Sequence, residues 1–305
     1  MTATRHTARR ARGVRAKALP AVVTERDLLI LTFLGLVRYA TSHQVARALE
    51  FPSVDRCLRR LRVLFDLGYA VNTYRDSRQP NLVSATRAGL AAVISSRPEF
   101  EGRLQTAGPI RGPAIAHALG VVDARIYAER FGRVFAAPLL AWHGPRSHET
   151  ASRLEPATLR PDGLALFGTS TAAMAIAIEV DCGTEGSKVL AAKLAAYGAV
   201  FRRTPPGLGE CWLVATGAER RLELLATLVR EARLHHVVRL MPLATITTTT
   251  VAPLAPLVAK RPSSSLDVLN TPKDAARRGP LPPGDPGPVS PTPDAVCTPA
   301  RGGAW

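Results

Sequence analysis

Residues 53–68 read Ser-Val-Asp-Arg-Cys-Leu-Arg-Arg-Leu-Arg-Val-Leu-Phe-Asp-Leu-Gly. At the 100° per residue of an α-helix, the apolar side chains of this stretch gather on one side: Cys57, Leu58, Leu61, Leu64 and Phe65. Four arginines lie on or beside the opposite side: Arg56, Arg59, Arg60 and Arg62. Pro52-Ser53 is a typical helix start and Gly68 a typical helix end. The stretch therefore predicts an amphipathic helix with one basic face.

The segments on either side of this helix predict a small domain around it. Two helices precede it, one over about residues 25–37 after Thr24 and a short one beginning at Thr41 or Ser42. A strand from Tyr69 to Tyr74, a polar turn, a returning strand over 82–85 and a helix to about residue 95 follow it. Helix, helix, helix, hairpin, helix is the order of a winged helix-turn-helix domain, which we place over residues 20–97.

In such a domain the third helix enters the major groove of DNA and the wing reaches the flanking backbone. The residues that we expect to contact DNA are Ser53, Arg56, Arg59, Arg60, Arg62, Arg75 and Arg78. Phosphate contacts should outnumber base contacts. A charged helix face without this placement would instead indicate an ordinary solvated surface.

The overall charge favours a polyanionic partner. The 305 residues include 40 Lys and Arg against 24 Asp and Glu, a net charge of +16, and the resulting field attracts nucleic acid. Double-stranded DNA is therefore the expected partner.

The four cysteines form no C-x-x-C pair, and no apolar run reaches the roughly 18 residues of a membrane span. These features predict a cytoplasmic protein that does not contact a membrane.

Composition divides the remaining chain. Residues 1–19 carry basic residues and no acidic one, which predicts a disordered basic arm. Residues 98–113 are rich in Pro and Gly and predict a linker. Residues 114–252 form the second predicted domain. Residues 253–305 are rich in Pro, Ser, Gly and Thr, which predicts a disordered tail.

The second domain alternates between helical and extended patterns. Its predicted order is a helix, three strands, a helix, a strand, a helix and a last strand, over residues 117–131, 138–142, 163–167, 175–180, 187–201, 211–215, 219–234 and 237–241. This alternation predicts a three-layer α/β domain with a mixed sheet.

Carboxylates concentrate at two strand ends of this domain. Glu179 and Asp181 should share one face of their strand because side chains alternate with a period of two. Asp162, at the start of the neighbouring strand, could join them to bind Mg²⁺, which orients water and stabilises an in-line phosphoryl displacement. The alternative is that these carboxylates are solvated strand ends or partners of nearby arginines.

These motifs resemble a known family. Pro161-Asp162 on one strand and Glu179-x-Asp181 on the next resemble the restriction-endonuclease-like fold. Together with the winged helix, the chain resembles the replication-relaxation family of plasmid and mobile-element proteins over about residues 22–245. The motifs that carry this resemblance are Thr24-Glu-Arg-Asp27, Arg160-Pro-Asp-Gly163, Glu179-Val-Asp-Cys-Gly-Thr-Glu185 and Lys193-Leu-x-x-Tyr197. The resemblance implies a role in plasmid replication, or in relaxation of plasmid DNA during mobilisation and conjugation, with proteins of those machineries as partners.

The sequence departs from the nuclease motif at one position. That motif ends in Glu-x-Lys, and Asp181 stands where the lysine is expected. Lys188 or Lys193 of the following helix could substitute, and Lys193 is better placed if Leu190 and Leu194 face the sheet; the alternative is that both are surface lysines. The candidate catalytic residues are thus Asp162, Glu179, Asp181 and Lys193, and the candidate metal ligands are the three carboxylates.

Three functions are compatible with these patterns. The first is a DNA-binding accessory protein of a plasmid or mobile element, with the α/β domain as a binding or assembly platform. The second is a metal-dependent nuclease, which would require Mg²⁺. The third is a winged-helix transcription regulator, whose second domain would hold a small ligand in an apolar pocket between helices and sheet.

Overall fold

In the computed structural model the described residues are 22–73, 80–110, 112–144, 159–168, 173–203, 209–217 and 219–248. All of them belong to one compact unit. The predicted basic arm over 1–19 and the predicted tail over 253–305 lie outside the described residues, as do Arg75 and Arg78 of the predicted wing turn. No helix in the described part of the chain is long and apolar enough to cross a membrane.

The N-terminal part contains four α-helices and a β-hairpin. In chain order they are α1 (Glu25–Val37), α2 (Ser42–Ala48), α3 (Val54–Asp66), β1 (Ala70–Thr73), β2 (Leu82–Ala85) and α4 (Arg87–Ser96). β1 and β2 pair antiparallel, with Ala70 opposite Ala85. The observed element order is the one that the sequence predicts, while assignment to the winged helix-turn-helix class stays a prediction.

Hydroxyl side chains define where these helices begin. Each accepts a hydrogen bond from the backbone N–H three residues later, which satisfies a donor that the helix itself leaves free. The four capping residues are Thr24, Thr41, Ser53 and Thr86. At Thr24 and Thr41 the third residue also returns a side-chain bond to the cap backbone, which completes a capping box.

The helices of this part enclose an apolar core. Its fully buried members include Ile30, Leu31, Leu34, Cys57, Leu61 and Leu64. Gly89 allows α4 to approach the hairpin, because a Cβ at this position would lie 2.2 Å from the carbonyl oxygen of Tyr69. The close approach of backbone to backbone therefore requires glycine.

The C-terminal part is built around a five-stranded sheet. Its elements are α5 (Pro113–Val134), β3 (Leu139–His143), β4 (Gly163–Gly168), β5 (Ala173–Asp181), α6 (Ser187–Phe201), β6 (Glu210–Ala215), α7 (Glu219–Glu231), β7 (Val238–Pro242) and α8 (Leu243–Thr248). The strands lie in the order β3-β4-β5-β6-β7, with antiparallel pairs up to β5 and parallel pairs after it. The mixed sheet that the sequence predicts is confirmed, whereas α8 was not predicted.

Helices cover both faces of the sheet. Ile176, Ile178 and Val180 of β5 pack with Tyr127 and Phe131 of α5 on one face. The alternate residues Ala175 and Ala177 pack with α6 and α7 on the other face. The three-layer α/β arrangement is therefore confirmed, and alternation places Glu179 and Asp181 on the side of α6 and α7.

Helix α5 also packs against the N-terminal part. Its Val122 and Ile126 belong to the same buried cluster as α1 and α3. The Nη1 atom of Arg47 in α2 lies 2.8 Å from Oδ1 of Asp123, and Gln44 donates to the carbonyl oxygen of Leu119 at 2.9 Å. Because α5 contributes to the cores of both parts, α2 is held directly against the α/β layer. The domain boundary over 98–113 stays a prediction.

Candidate functional site

Three arginines form an exposed row on α3. Arg56, Arg59 and Arg62 are all exposed, and their three-residue spacing keeps them on one side of the helix. Cys57, Leu61 and Leu64 on the opposite side are completely buried. None of the three guanidinium groups forms an ion pair with another described residue. This row is therefore a solvent-facing basic surface held in place by an apolar core.

Arg60 departs from the sequence-based expectation. Its Nε donates to Oδ1 of Asp27 at 2.9 Å, and its Nη2 bonds the other carboxylate oxygen of Asp27. Asp27 is completely buried. Burial raises the pKa of Asp27, but hydrogen bonds from Arg60 and Thr24 outweigh it, so the net shift is downward. Arg60 thus joins α3 to the start of α1 instead of extending the exposed row.

Ser53 also has a structural partner. Its Oγ accepts a hydrogen bond from the backbone N–H of Arg56 at 3.3 Å and caps α3. With Arg75 and Arg78 outside the described residues, the structure brings together Arg56, Arg59 and Arg62 out of the seven expected DNA contacts.

The carboxylate of Glu179 lies in a buried polar cluster with Lys193 and Tyr197. Oε2 of Glu179 accepts from Nζ of Lys193 at 2.8 Å, and Oε1 accepts from the Tyr197 hydroxyl at 2.7 Å. Burial raises the pKa of Glu179 to about 7, although the Lys193 ammonium acts in the opposite direction. Burial lowers the pKa of Lys193, and the carboxylates around it raise it more, to about 12. Lys193 does reach back to the sheet, on a helix whose Leu190 and Leu194 are buried.

Asp181 is paired with an arginine that sequence reasoning did not single out. Nε of Arg221 lies 2.7 Å from Oδ2 of Asp181, and Nη2 lies 2.7 Å from Oδ1. Nη2 also donates to the carbonyl oxygen of Glu185 at 2.8 Å. Such a bidentate pair is among the strongest polar contacts in proteins. Since Arg221 lies 40 residues after Asp181 and shows no motif spacing, the sequence carried no signal for this pair.

Asp162 connects β5 to the start of α5. Its Oδ2 accepts a hydrogen bond from the backbone N–H of Val180 at 2.8 Å and lies 3.0 Å from Nε2 of His117. The hydrogen bond to Asp162 raises the pKa of His117, and burial opposes this shift. Sequence reasoning also missed His117, because nothing local relates the first turns of α5 to the residue before β4.

These pairings decide whether the three carboxylates fit a divalent cation. Mg²⁺ needs free carboxylate oxygens, but Lys193, Arg221 and His117 already occupy oxygens of Glu179, Asp181 and Asp162, respectively. No group of three His, Cys, Asp or Glu side chains among the described residues has an arrangement suited to a metal. The donor set in this arrangement therefore does not fit the metal site that the sequence predicts.

A cavity of about 10 Å³ lies beside Glu179, Lys193 and Tyr197. A space of this size holds about one water molecule. It is therefore too small for the organic ligand of a transcription regulator.

Comparison with known proteins places the chain in a family. A family model described as replication-relaxation matches residues 31–206, which is more than half of the chain. The chain belongs to the replication-relaxation family. The matched span contains the exposed row of α3, the capping residues Thr41, Ser53 and Thr86 and the carboxylates of β5, and it begins after the capping residue Thr24. Membership confirms the resemblance that the sequence motifs indicated.

The remaining comparisons add little about activity. No curated protein matches the chain. Among solved structures, restriction endonuclease FokI matches with 11% sequence identity and a TM-score of 0.30, over 73% of this chain and 42% of that enzyme. The chain thus spans less than half of the enzyme's length, and a likeness at this level supports no conclusion about activity.

Proposed function

We propose that this member of the replication-relaxation family binds double-stranded DNA through α3. It would act in the cytoplasm as an accessory protein in replication, relaxation and mobilisation of plasmid or mobile-element DNA. The observation that carries the proposal is the exposed row of Arg56, Arg59 and Arg62 on the third helix of the domain. Family membership supports the wider role.

The chemistry of this row suits the major groove. A 13-residue helix such as α3 is about 20 Å long, and the major groove admits a single helix. Guanidinium groups pair bidentately with guanine edges or bind phosphate oxygens. The ion pair between Arg60 and Asp27 fixes the rotation of α3 and keeps this row toward solvent.

The α/β part is better suited to a platform than to metal-dependent cleavage. Its candidate catalytic residues Glu179 and Asp181 are paired with Lys193 and Arg221 of the same domain, and its packing against α2 through Arg47 and Asp123 gives the DNA-binding part a fixed support. A nuclease would have to break these pairs before it could bind Mg²⁺. We therefore propose that this domain supports assembly with replication or relaxation proteins.

Fluorescence anisotropy with a labelled 30-base-pair duplex tests DNA binding directly. The full-length chain is compared with Arg56→Gln/Arg59→Gln and with the control Arg103→Gln/Arg220→Gln, which removes two exposed arginines elsewhere. Both double variants lower the net charge equally. We expect the α3 variant to bind at least roughly tenfold more weakly, because one bidentate base contact is worth about 1–3 kcal/mol and lost phosphate contacts lower the affinity further. Equal affinities of the two variants would contradict the proposal.

A further inference from the structure

A second concentration of basic side chains lies at the edge of the sheet where β6 and β7 begin. Because these strands are parallel to each other, the helices that precede them, α6 and α7, both end at this edge. The residues at the two helix ends form what we call the basic edge: Arg202, Arg203, Arg230, Arg233, His235 and His236. The carboxylate cluster of Glu179 and Asp181 lies at the opposite edge, where β5 ends.

The two helix ends lie close together. A Cβ placed on Gly198 of α6 would lie 3.2 Å from Nη1 of Arg202 and 3.6 Å from Leu234 in the turn after α7. A groove of about 280 Å³ between α6 and α7 is lined by Arg202 near one end, by Glu231 of α7 and by Ala232 just after it. The ends of α6 and α7 therefore lie side by side.

Positive charge on this surface is largely uncompensated. Arg202, Arg230 and Arg233 are exposed, and none of them forms an ion pair with another described residue. Of the two acidic residues nearby, Glu210 is already paired with Arg239 at 2.8 Å, which leaves Glu231. One basic residue in the last turn is enough to stabilise a helix C-terminus. The number of arginines exceeds what the two helices need.

The backbone of Arg233 adopts a conformation that favours glycine. Arg233 has a φ of 57°, in the left-handed region where glycine is favoured. Its N–H donates to the carbonyl oxygen of Arg230 at 2.9 Å, and Leu234 donates to that of Val229 at 3.0 Å. These two bonds form a Schellman motif, whose left-handed position is usually glycine. An arginine at this position is less favourable for stability than glycine.

We propose that the basic edge binds the phosphate backbone of double-stranded DNA as a second contact, in addition to α3. This inference rests on the proposed DNA-binding function. Phosphate recognition requires exposed guanidinium groups rather than a shaped pocket, and the basic edge supplies them on a rigid sheet edge. A duplex held at both surfaces would be contacted by both parts of the chain.

The salt dependence of DNA binding tests this second contact. The full-length chain, the edge variant Arg202→Gln/Arg230→Gln, the α3 variant Arg56→Gln/Arg59→Gln and the control Arg103→Gln/Arg220→Gln are titrated with the same duplex at several NaCl concentrations. The last three carry the same net charge. Each phosphate contact that is lost lowers the slope of log K against log salt by about 1. Compared with the unmodified chain, we expect the edge variant to have a slope that is smaller in magnitude by about 2. Its affinity for the duplex at moderate salt should be lower by roughly tenfold or more.

The four proteins separate failure of this inference from failure of the proposed function. If the unmodified chain does not bind the duplex, or if the α3 variant binds as well as the control, the proposed function fails. If the α3 variant is weakened but the edge variant has the slope and affinity of the control, binding through α3 stands and the second contact is wrong.

A single substitution gives an independent test. Arg233→Gly should raise the melting temperature, because glycine suits the left-handed position, and should at the same time weaken DNA binding. Loss of affinity in a more stable protein cannot result from misfolding. Unchanged affinity in Arg233→Gly would contradict the inference, as would an unchanged salt slope in the edge variant.

Discussion

Arg221 holds Asp181 by a bidentate ion pair, with two nitrogen atoms each 2.7 Å from a different carboxylate oxygen. Asp181 occupies the position at which a Glu-x-Lys nuclease motif would carry its lysine. The structure thus places a negative charge at this position and neutralises it from α7. Glu179, the other acidic residue on this face of β5, is likewise paired with a cationic side chain, that of Lys193.

Removal of Arg221 should destabilise the α/β part. In Arg221→Gln the buried carboxylate of Asp181 loses its counter-charge, and breaking a buried pair in this way costs about 3 kcal/mol. Urea unfolding followed by far-UV circular dichroism measures the difference. The neighbouring exposed variant Arg220→Gln should change the free energy of unfolding by less than about 0.5 kcal/mol. The double variant Asp181→Asn/Arg221→Gln should recover part of the lost stability. If Arg221→Gln and Arg220→Gln are equally stable, the ion pair does not stabilise the fold.

The occupied carboxylates should not bind a divalent cation tightly. Calorimetric titration of the full-length chain with Mg²⁺ or Mn²⁺ should show no saturable binding. The reason is that the carboxylates of Asp162, Glu179 and Asp181 already accept hydrogen bonds from other groups of the protein. Asp162→Ala and Glu179→Ala serve as comparisons. Saturable binding to the unmodified chain that either substitution abolishes would show that the pairs open for metal, and would restore the nuclease hypothesis.

Arg59 and Arg60 are neighbours in the sequence, but we expect their substitution to have different effects on stability and on DNA binding. Arg60→Gln leaves the carboxylate of Asp27 buried without its cation, and we expect a loss of about 2–3 kcal/mol in stability. Arg59→Gln should change stability by less than about 0.5 kcal/mol while weakening DNA binding. Thermal melts and anisotropy on the same two preparations measure both effects. An Arg59→Gln protein that is the less stable of the two would contradict this division.

Stability should fall as the pH rises through the weakly acidic range. The pKa of Glu179 is raised from 4.5 to about 7 by burial, so the folded chain binds this proton more tightly than the unfolded chain. The stabilising contribution is therefore complete below about pH 4.5 and is lost as the pH approaches about 7, which corresponds to on the order of 3 kcal/mol. Urea unfolding between pH 4.5 and 8, compared with Glu179→Gln, isolates the contribution. If the two proteins show the same pH dependence, Glu179 is not the responsible group.

Much of the local structure could be predicted because the signals for it are local. The apolar spacing of residues 54–66 reports a helix directly, and Thr24, Thr41 and Ser53 cap helices through bonds that span only three residues. Alternation along β5 is sufficient to place Glu179 and Asp181 on one face without reference to any tertiary contact. The family also followed from short motifs.

The sequence by itself thus determined most of the helices, the strands of the mixed sheet and the family, but it did not indicate α8, His117 or Arg221. Tertiary structure decided which of the charged side chains remain free. Arg60 meets Asp27 across 33 residues and Arg221 meets Asp181 across 40 residues, and neither pair has a spacing that a helix or strand would repeat. The charge of a residue is a local property, whereas its partner depends on how distant segments pack. For that reason the sequence could propose both a DNA-binding row and a metal site, and only the folded chain shows the first exposed and the carboxylates of the second paired with side chains of the same chain.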